Sequence, residues 1–189
     1  MNILTDKLPD SIMISGSEYP MHTDFRVWIK IEELLTVGFS EENFMQALLL
    51  CYIEKFPPNI EIALNEIIRF LAGYKEGLKP SSNHEQRSSP IYNFTHDANY
   101  IFSDFMSVYD INLSITNLHW FIFKSLFEGL PEDSKIMKII GYRSIKLSDI
   151  KDKEQKKFYR KMKRLYKLPD LRTAEQKEAD MISNIEGFF

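Results

Sequence analysis

A single cysteine, Cys51, stands in a chain of 189 residues. One thiol cannot build a disulfide framework or supply the paired cysteines of a structural zinc site. It points to a reducing, intracellular setting. Glycine is also scarce, with seven residues. Each falls where a turn or helix end is expected, and none gathers into a loop that cradles phosphate. The GxSxG and HExxH patterns are absent. The four histidines, His22, His84, His96 and His119, are scattered, with no pair one helical turn apart. No apolar run reaches the ~20 residues of a membrane span. The longest, 118–130, is interrupted by His119, Lys124 and Glu128. The opening MNILTDKLPD lacks the basic segment and apolar run of a signal peptide. These absences set the expectations: no enzyme, no catalytic residues, no cofactor, no metal, and no membrane insertion.

What is present suits one domain. Hydrophobic residues make up 44%, charged residues 27%, and aromatics a generous 13% dominated by Phe and Tyr. A sizeable core is therefore available. The formal net charge of -3 gives no global attraction to nucleic acid. Its distribution is uneven: nine of the 24 Lys and Arg residues lie within 151–167. The first 74 residues are acidic in balance.

Residues 10–23 carry the one hairpin signal: Ile12 and Ile14 alternate with polar neighbours, Ser15-Gly16-Ser17 supplies the turn, and Tyr19 and Met21 return. Pro20 makes the returning arm an edge. Thr23 or Asp24 then caps a helix carrying Phe25, Trp28, Ile31, Leu34 and Leu35, ended by Gly38. Ser40 opens a second, with Phe44, Ala47, Leu48 and Cys51 as its main stripe. Leu49, Leu50, Tyr52 and Ile53 fill its other faces, which predicts a well-buried helix stopped by Pro57-Pro58. Asn59 caps a third, through Ala63, Ile67, Phe70 and Leu71 to Gly73. Residues 75–92 have no periodicity and read as a long surface loop. Thr95 is the expected cap of a helix along Ala98, Ile101, Phe102, Phe105 and Tyr109. After a break at 110–114, Thr116 is expected to open an apolar hub helix closed by Gly129 and Pro131. A short helix over 132–140, ended by Gly141, follows. Asp152-x-x-Gln155 launches a basic helix, which Pro169 terminates. The predicted fold is mainly α: a single-domain bundle of about seven helices over 1–170, with an N-terminal β-hairpin. A tail, helical at best, occupies 171–189.

Candidate chemistry is thin. His96-Asp97 reads as a capping or surface pair, and His119 as a core or half-buried histidine. Glu32-Glu33 and Glu41-Glu42 are adjacent on helices, where neighbours do not face one another. The basic helix stands above that background. At about 100° per residue, Phe158, Tyr159, Met162, Leu165 and Tyr166 fall on one side, and Lys153, Lys156, Arg160, Lys163, Arg164 and Lys167 on the other. It is expected to pack onto the hub helix. Its outer face has three readings: a solvated surface, a dock for an acidic protein, or a nucleic-acid or anionic-membrane contact. The acidic balance weighs against the last. The candidate partner-binding residues are Lys156, Arg160, Lys163, Arg164 and Lys167, together with the terminal Phe188 and Phe189.

Three stretches carry a family resemblance: LTDKLPDSIMISGSEYPMHTDFRVWIKIEELL, FTHDANYIFSDFMSVYDINL, and LHWFIFKSLFEGLPEDSKIMKIIGYRSIKLSDIKDKEQKKFYRKMKRLYKLPD. Together they resemble the bacteriophage gene-product-fifteen family of tailed phages and prophages of Firmicutes. The resemblance extends to about Asp170 and leaves the middle loop and the tail without signature. Such proteins are typically encoded between the major tail protein and the tape-measure protein. The resemblance therefore implies a tail morphogenesis factor acting in the host cytoplasm, a tail assembly chaperone that binds the tape-measure protein and helps tail-tube subunits polymerise round it. Self-association is a further partner expectation. The alternatives are a structural component retained in the virion tail and a nucleic-acid-binding module that uses the basic helix 152–167.

Overall fold

The computed structural model describes residues 2–37, 40–55, 57–74 and 90–170. Gly38, most of the expected loop (75–89) and the tail with Phe188 and Phe189 lie outside the described residues. Among the described residues the fold is mainly α, with seven helices behind a two-stranded antiparallel hairpin.

The hairpin pairs β1 (Ser11–Ile14) with β2 (Ser17–Pro20), Ile12 opposite Tyr19. Ser15 and Gly16 make a two-residue turn, both at positive φ, 51° and 79°, a conformation that matches the twist of the flanking strands. Alternation puts Ile12 and Tyr19 into the core and leaves Met13 outside.

The helices are α1 (Phe25–Val37), α2 (Glu41–Cys51), α3 (Ile60–Leu71), α4 (Ala98–Tyr109), α5 (Trp120–Glu128), α6 (Lys135–Ser144) and α7 (Lys153–Leu165). Three expected caps form. Ser40 accepts from the Asn43 N–H, Asn59 from Ile62, and Asp152 from Gln155. Asp24 Oδ1 accepts from the Arg26 N–H at the head of α1. At the end of α3 the Gly73 N–H donates to Phe70 and the Tyr74 N–H to Arg69, with Gly73 at φ 71°. That is the paired closure that glycine favours after a helix.

Five expectations are corrected. The hub helix α5 begins at Trp120, not at Thr116. Asn112 folds the chain into a turn through the Ser114 and Thr116 N–H groups. Residues up to His119 then run extended beside the start of α1: Phe25 N–H donates to Leu118 and Trp120 N–H to Thr23. Helix α4 starts after Asp97: Asn93 folds residues 93–97 into a turn of their own, its side chain accepting from the His96 N–H and its carbonyl from the Asp97 N–H, while the Thr95 hydroxyl donates to Glu33. Helix α6 runs through Gly141 to Ser144: Gly141 does not take the positive φ of a helix-ending glycine, and its carbonyl accepts from the Ile145 N–H at the cap. Helix α2 ends at Cys51, well before Pro57; Tyr52 leaves it extended to bridge Met21. Nor is α2 buried all round: Leu49 is 67% exposed, because α1 and α3 cover only its Ala47, Leu48 and Cys51 side.

The core is aromatic. Phe25 stacks on Phe123 at 4.6 Å, Trp28 on Phe70 at 4.2 Å, and Phe70 meets Phe121 at 4.4 Å. Trp120, Phe121, Phe123 and Phe127 are all buried, so α5 is the hub expected of it, although Ile122 remains at the surface. Each such ring stabilises the fold by roughly 1.5–3 kcal/mol relative to exposure. The buried indole N–H groups are satisfied: Trp28 donates to the His22 carbonyl at 2.7 Å.

Candidate docking surface

Two acids on α4 set the position of everything that follows. Asp104 accepts from the backbone N–H groups of Lys135 and Ile136, at 3.1 and 2.7 Å. A carboxylate at that place satisfies two orphan donors at the positive end of α6. Seven residues earlier, Asp97 is completely buried. Its carboxylate receives both terminal nitrogens of Arg143, at 2.6 and 2.8 Å, and the Asn93 N–H at 3.0 Å. For the expected capping or surface pair His96-Asp97, Asp97 does stand at the N-cap position of α4, but its side chain makes no capping bond and is not at the surface. Asp97 faces inward at the helix start, whereas His96 is exposed.

Arg143 also holds α7. Its Nε donates to the Tyr166 carbonyl at 2.6 Å. Lys163 reaches back from α7, its ammonium donating to the carbonyls of Arg143 and Ile145, both at 2.7 Å. A cation at those carbonyls complements the negative end of α6. Lys135 adds a bond to the Tyr166 hydroxyl at 2.8 Å. Tyr142 stacks on Tyr166 and contacts Tyr159.

Helix α7 therefore docks on α6, not on the hub, and none of its residues is buried. The division of its faces is also corrected. Tyr159, Met162, Lys163, Tyr166 and the half-buried Lys156 form the inner side. Phe158 and Leu165, expected there, are 47% and 64% exposed. Tyr142 of α6 meets both Phe158 and Tyr159, at 6.1 and 6.2 Å, but adjacent positions differ by about 100°, so it covers only one edge of the Phe158 ring. The outer surface is a line of Phe158, Lys161 and Leu165 flanked by Lys157, Arg160 and Arg164, all exposed. Of the expected partner-binding residues, Arg160, Arg164 and Lys167 are at the surface, Lys156 is half covered, and Lys163 is taken up by α6. Lys157 and Lys161 were missed as candidates. Their distance along the helix from Phe158 was the available signal.

A second exposed mixed face lies on α2. Glu41, Met45 and Leu49 recur at every fourth position, beside Glu42 and Gln46, and all five are exposed. It is acidic where α7 is basic.

Against known families, a model described as bacteriophage Gp15 protein matches residues 4–168. The chain belongs to the bacteriophage Gp15 protein family. That places it among phage structural and morphogenesis proteins. The match spans every element from the hairpin to α7, so the basic helix is part of the Gp15 unit and not an appendage. No curated protein and no solved structure matches the chain. Among the described residues no group of three His, Cys, Asp or Glu is placed to hold a metal ion, and no helix is long and apolar enough to cross a membrane.

Proposed function

We propose that this Gp15-family protein is a tail assembly chaperone that binds the tape-measure protein in the host cytoplasm and releases it to the growing tail tube. The observation that supports the reading is the outer face of α7, where Phe158 and Leu165 stand exposed among five basic side chains, Lys157, Arg160, Lys161, Arg164 and Lys167. Apolar side chains bind an amphipathic helical client through its apolar stripe, and the surrounding cations select acidic flanks. The formal net charge of -3 adds no attraction for a polyanion, and the aliphatic Leu165 has no phosphate or base to meet, so the face favours a protein over nucleic acid. The role asks for binding and release, with no bond made or broken.

Co-expression with the tape-measure protein tests it. The expected result is a co-purified complex that is lost when Arg160, Lys161 and Arg164 are each changed to Glu. Mass spectrometry of purified particles is the second arm. A chaperone is depleted from finished virions, whereas stoichiometric recovery in the tail would replace this reading with that of a retained structural component.

A further inference from the structure

The α7 face has a complement on its own chain. On α2 the exposed line is Glu41, Met45 and Leu49, with Glu42 beside it; on α7 it is Phe158, Lys161 and Leu165, with Lys157 and Arg164 beside it. Each combines exposed apolar side chains with charge of a single prevailing sign, and the signs are opposite. The two helices are not packing neighbours within the chain: α2 packs on α1 and α3, α7 on α6. We propose that the α7 face of one copy docks on the α2 face of a second copy, and that this head-to-tail contact occupies α7 until a client displaces it. The displacement half rests on α7 being the client surface; the self-association does not.

The order of residues selects one orientation. Antiparallel, α2 and α7 bring Leu49 against Phe158 and Met45 near Lys161 and Leu165. Glu41 and Glu42 then lie beside Arg164 and Lys161. Parallel docking would bring the α2 acids toward Glu154, at the first turn of α7. The antiparallel arrangement also sets the positive end of α2 by the negative end of α7. The span fits, since α2 has 11 residues and α7 has 13, about 16 and 20 Å at 1.5 Å per residue. The two faces are different surfaces, so the contact is heterologous. It leaves one α2 and one α7 open after each addition and grows to a closed ring or an open chain.

The test is sedimentation of the full chain over a concentration series. The expected result is a mass that rises above 22.3 kDa with concentration and falls back with added salt. The α2 variant Glu41→Lys/Glu42→Lys and the α7 variant Lys161→Glu/Arg164→Glu each associate at least tenfold more weakly. An equal mixture of the two recovers association, because reversed charges meet reversed charges. Should the first-turn change unfold α2, judged by circular dichroism, Leu49→Lys serves in its place. A wild type that stays monomeric at every concentration overturns the proposal; so does an α2 variant that associates like the wild type. Tape-measure capture is measured on the same proteins. A monomeric wild type whose capture is lost only in the α7 variant sinks the head-to-tail contact and leaves the client reading standing. An associating wild type that captures nothing does the reverse.

Discussion

Arg143 clasps Asp97 with both terminal nitrogens, at 2.6 and 2.8 Å, in an ion pair whose side chains are 7% and 0% exposed. The pair joins the start of α4 to the last turn of α6. Asp104 joins the middle of α4 to the first turn of α6. The two acids are seven residues apart, as are Ile136 and Arg143. Both helices therefore advance about 10 Å between fastenings, and α4 and α6 lie antiparallel with their register fixed at two points.

Removing one partner of a buried pair leaves the other charged and without compensation. Arg143→Met is expected to cost about 3–5 kcal/mol, a fall in melting temperature on the order of 10 °C for a chain of this size. Arg143→Lys recovers only part, because a point charge cannot reproduce the two-nitrogen clasp. Adding Asp97→Asn to Arg143→Met costs less than the sum of the two single changes. Urea titration of the wild type, the three single variants and the double variant checks this.

Lys163 and Arg164 are neighbours with opposite roles. Lys163→Glu breaks two bonds to the end of α6 and sets a carboxylate against its carbonyls, and is expected to destabilise by about 1–3 kcal/mol. Arg164→Glu leaves the melting temperature within about 1 °C, as exposed charges do, and weakens tape-measure capture instead. Equal thermal effects of the two changes would overturn this division of the basic face.

His119 caps α5 in its neutral form. Its Nδ1 accepts from the Phe121 N–H at 3.1 Å, and its Nε2, 2.9 Å from the Pro9 carbonyl, carries the proton. Burial pushes its pKa below the ordinary 6.5, against the opposing pull of the Pro9 carbonyl. A folded pKa below the unfolded one means that the unfolded chain binds more protons, so this contribution is complete above about pH 6.5 and is lost as pH falls below it. His119→Asn keeps an acceptor at the cap and removes the titration. The loss of stability between pH 7.5 and pH 5 is expected to be smaller in that variant, by thermal melts at the two pH values.

Cys51 is fully buried, and burial pushes its thiol up to about 12. The folded chain is expected to be inert to a thiol reagent at pH 8, with labelling appearing only as denaturant opens the fold. Fast labelling of the native protein would contradict the packing of α2 against α1 and α3.

Local signals carried much of the fold. Alternation around Ser15-Gly16 marked the hairpin, and Ser40, Asn59 and Asp152 marked three helix starts, because caps and tight turns are short-range chemistry. The density of Trp120, Phe121, Phe123 and Phe127 marked the hub. The failures came where a distant partner decided. Thr116 looks like a cap, but the residues after it are held extended by the chain before α1. Gly141 looks like a stop, but it keeps helical backbone and α6 closes only at Ile145. On α7 the sequence offered an apolar side and a basic side. The structure rotates the division, putting Lys163 inward and leaving Phe158 and Leu165 largely exposed, because α7 packs on α6, whose negative end accepts a cation.

The sequence by itself determined a mainly helical, aromatic-cored protein of a phage family, since periodicity, capping and motif runs are properties of contiguous residues. Which acids are buried, and what faces outward from α2 and α7, only the tertiary structure decided. Asp97 reads as a capping or surface residue until Arg143, 46 positions away, is folded against it. A long-range pair of that kind has no local pattern from which to be inferred.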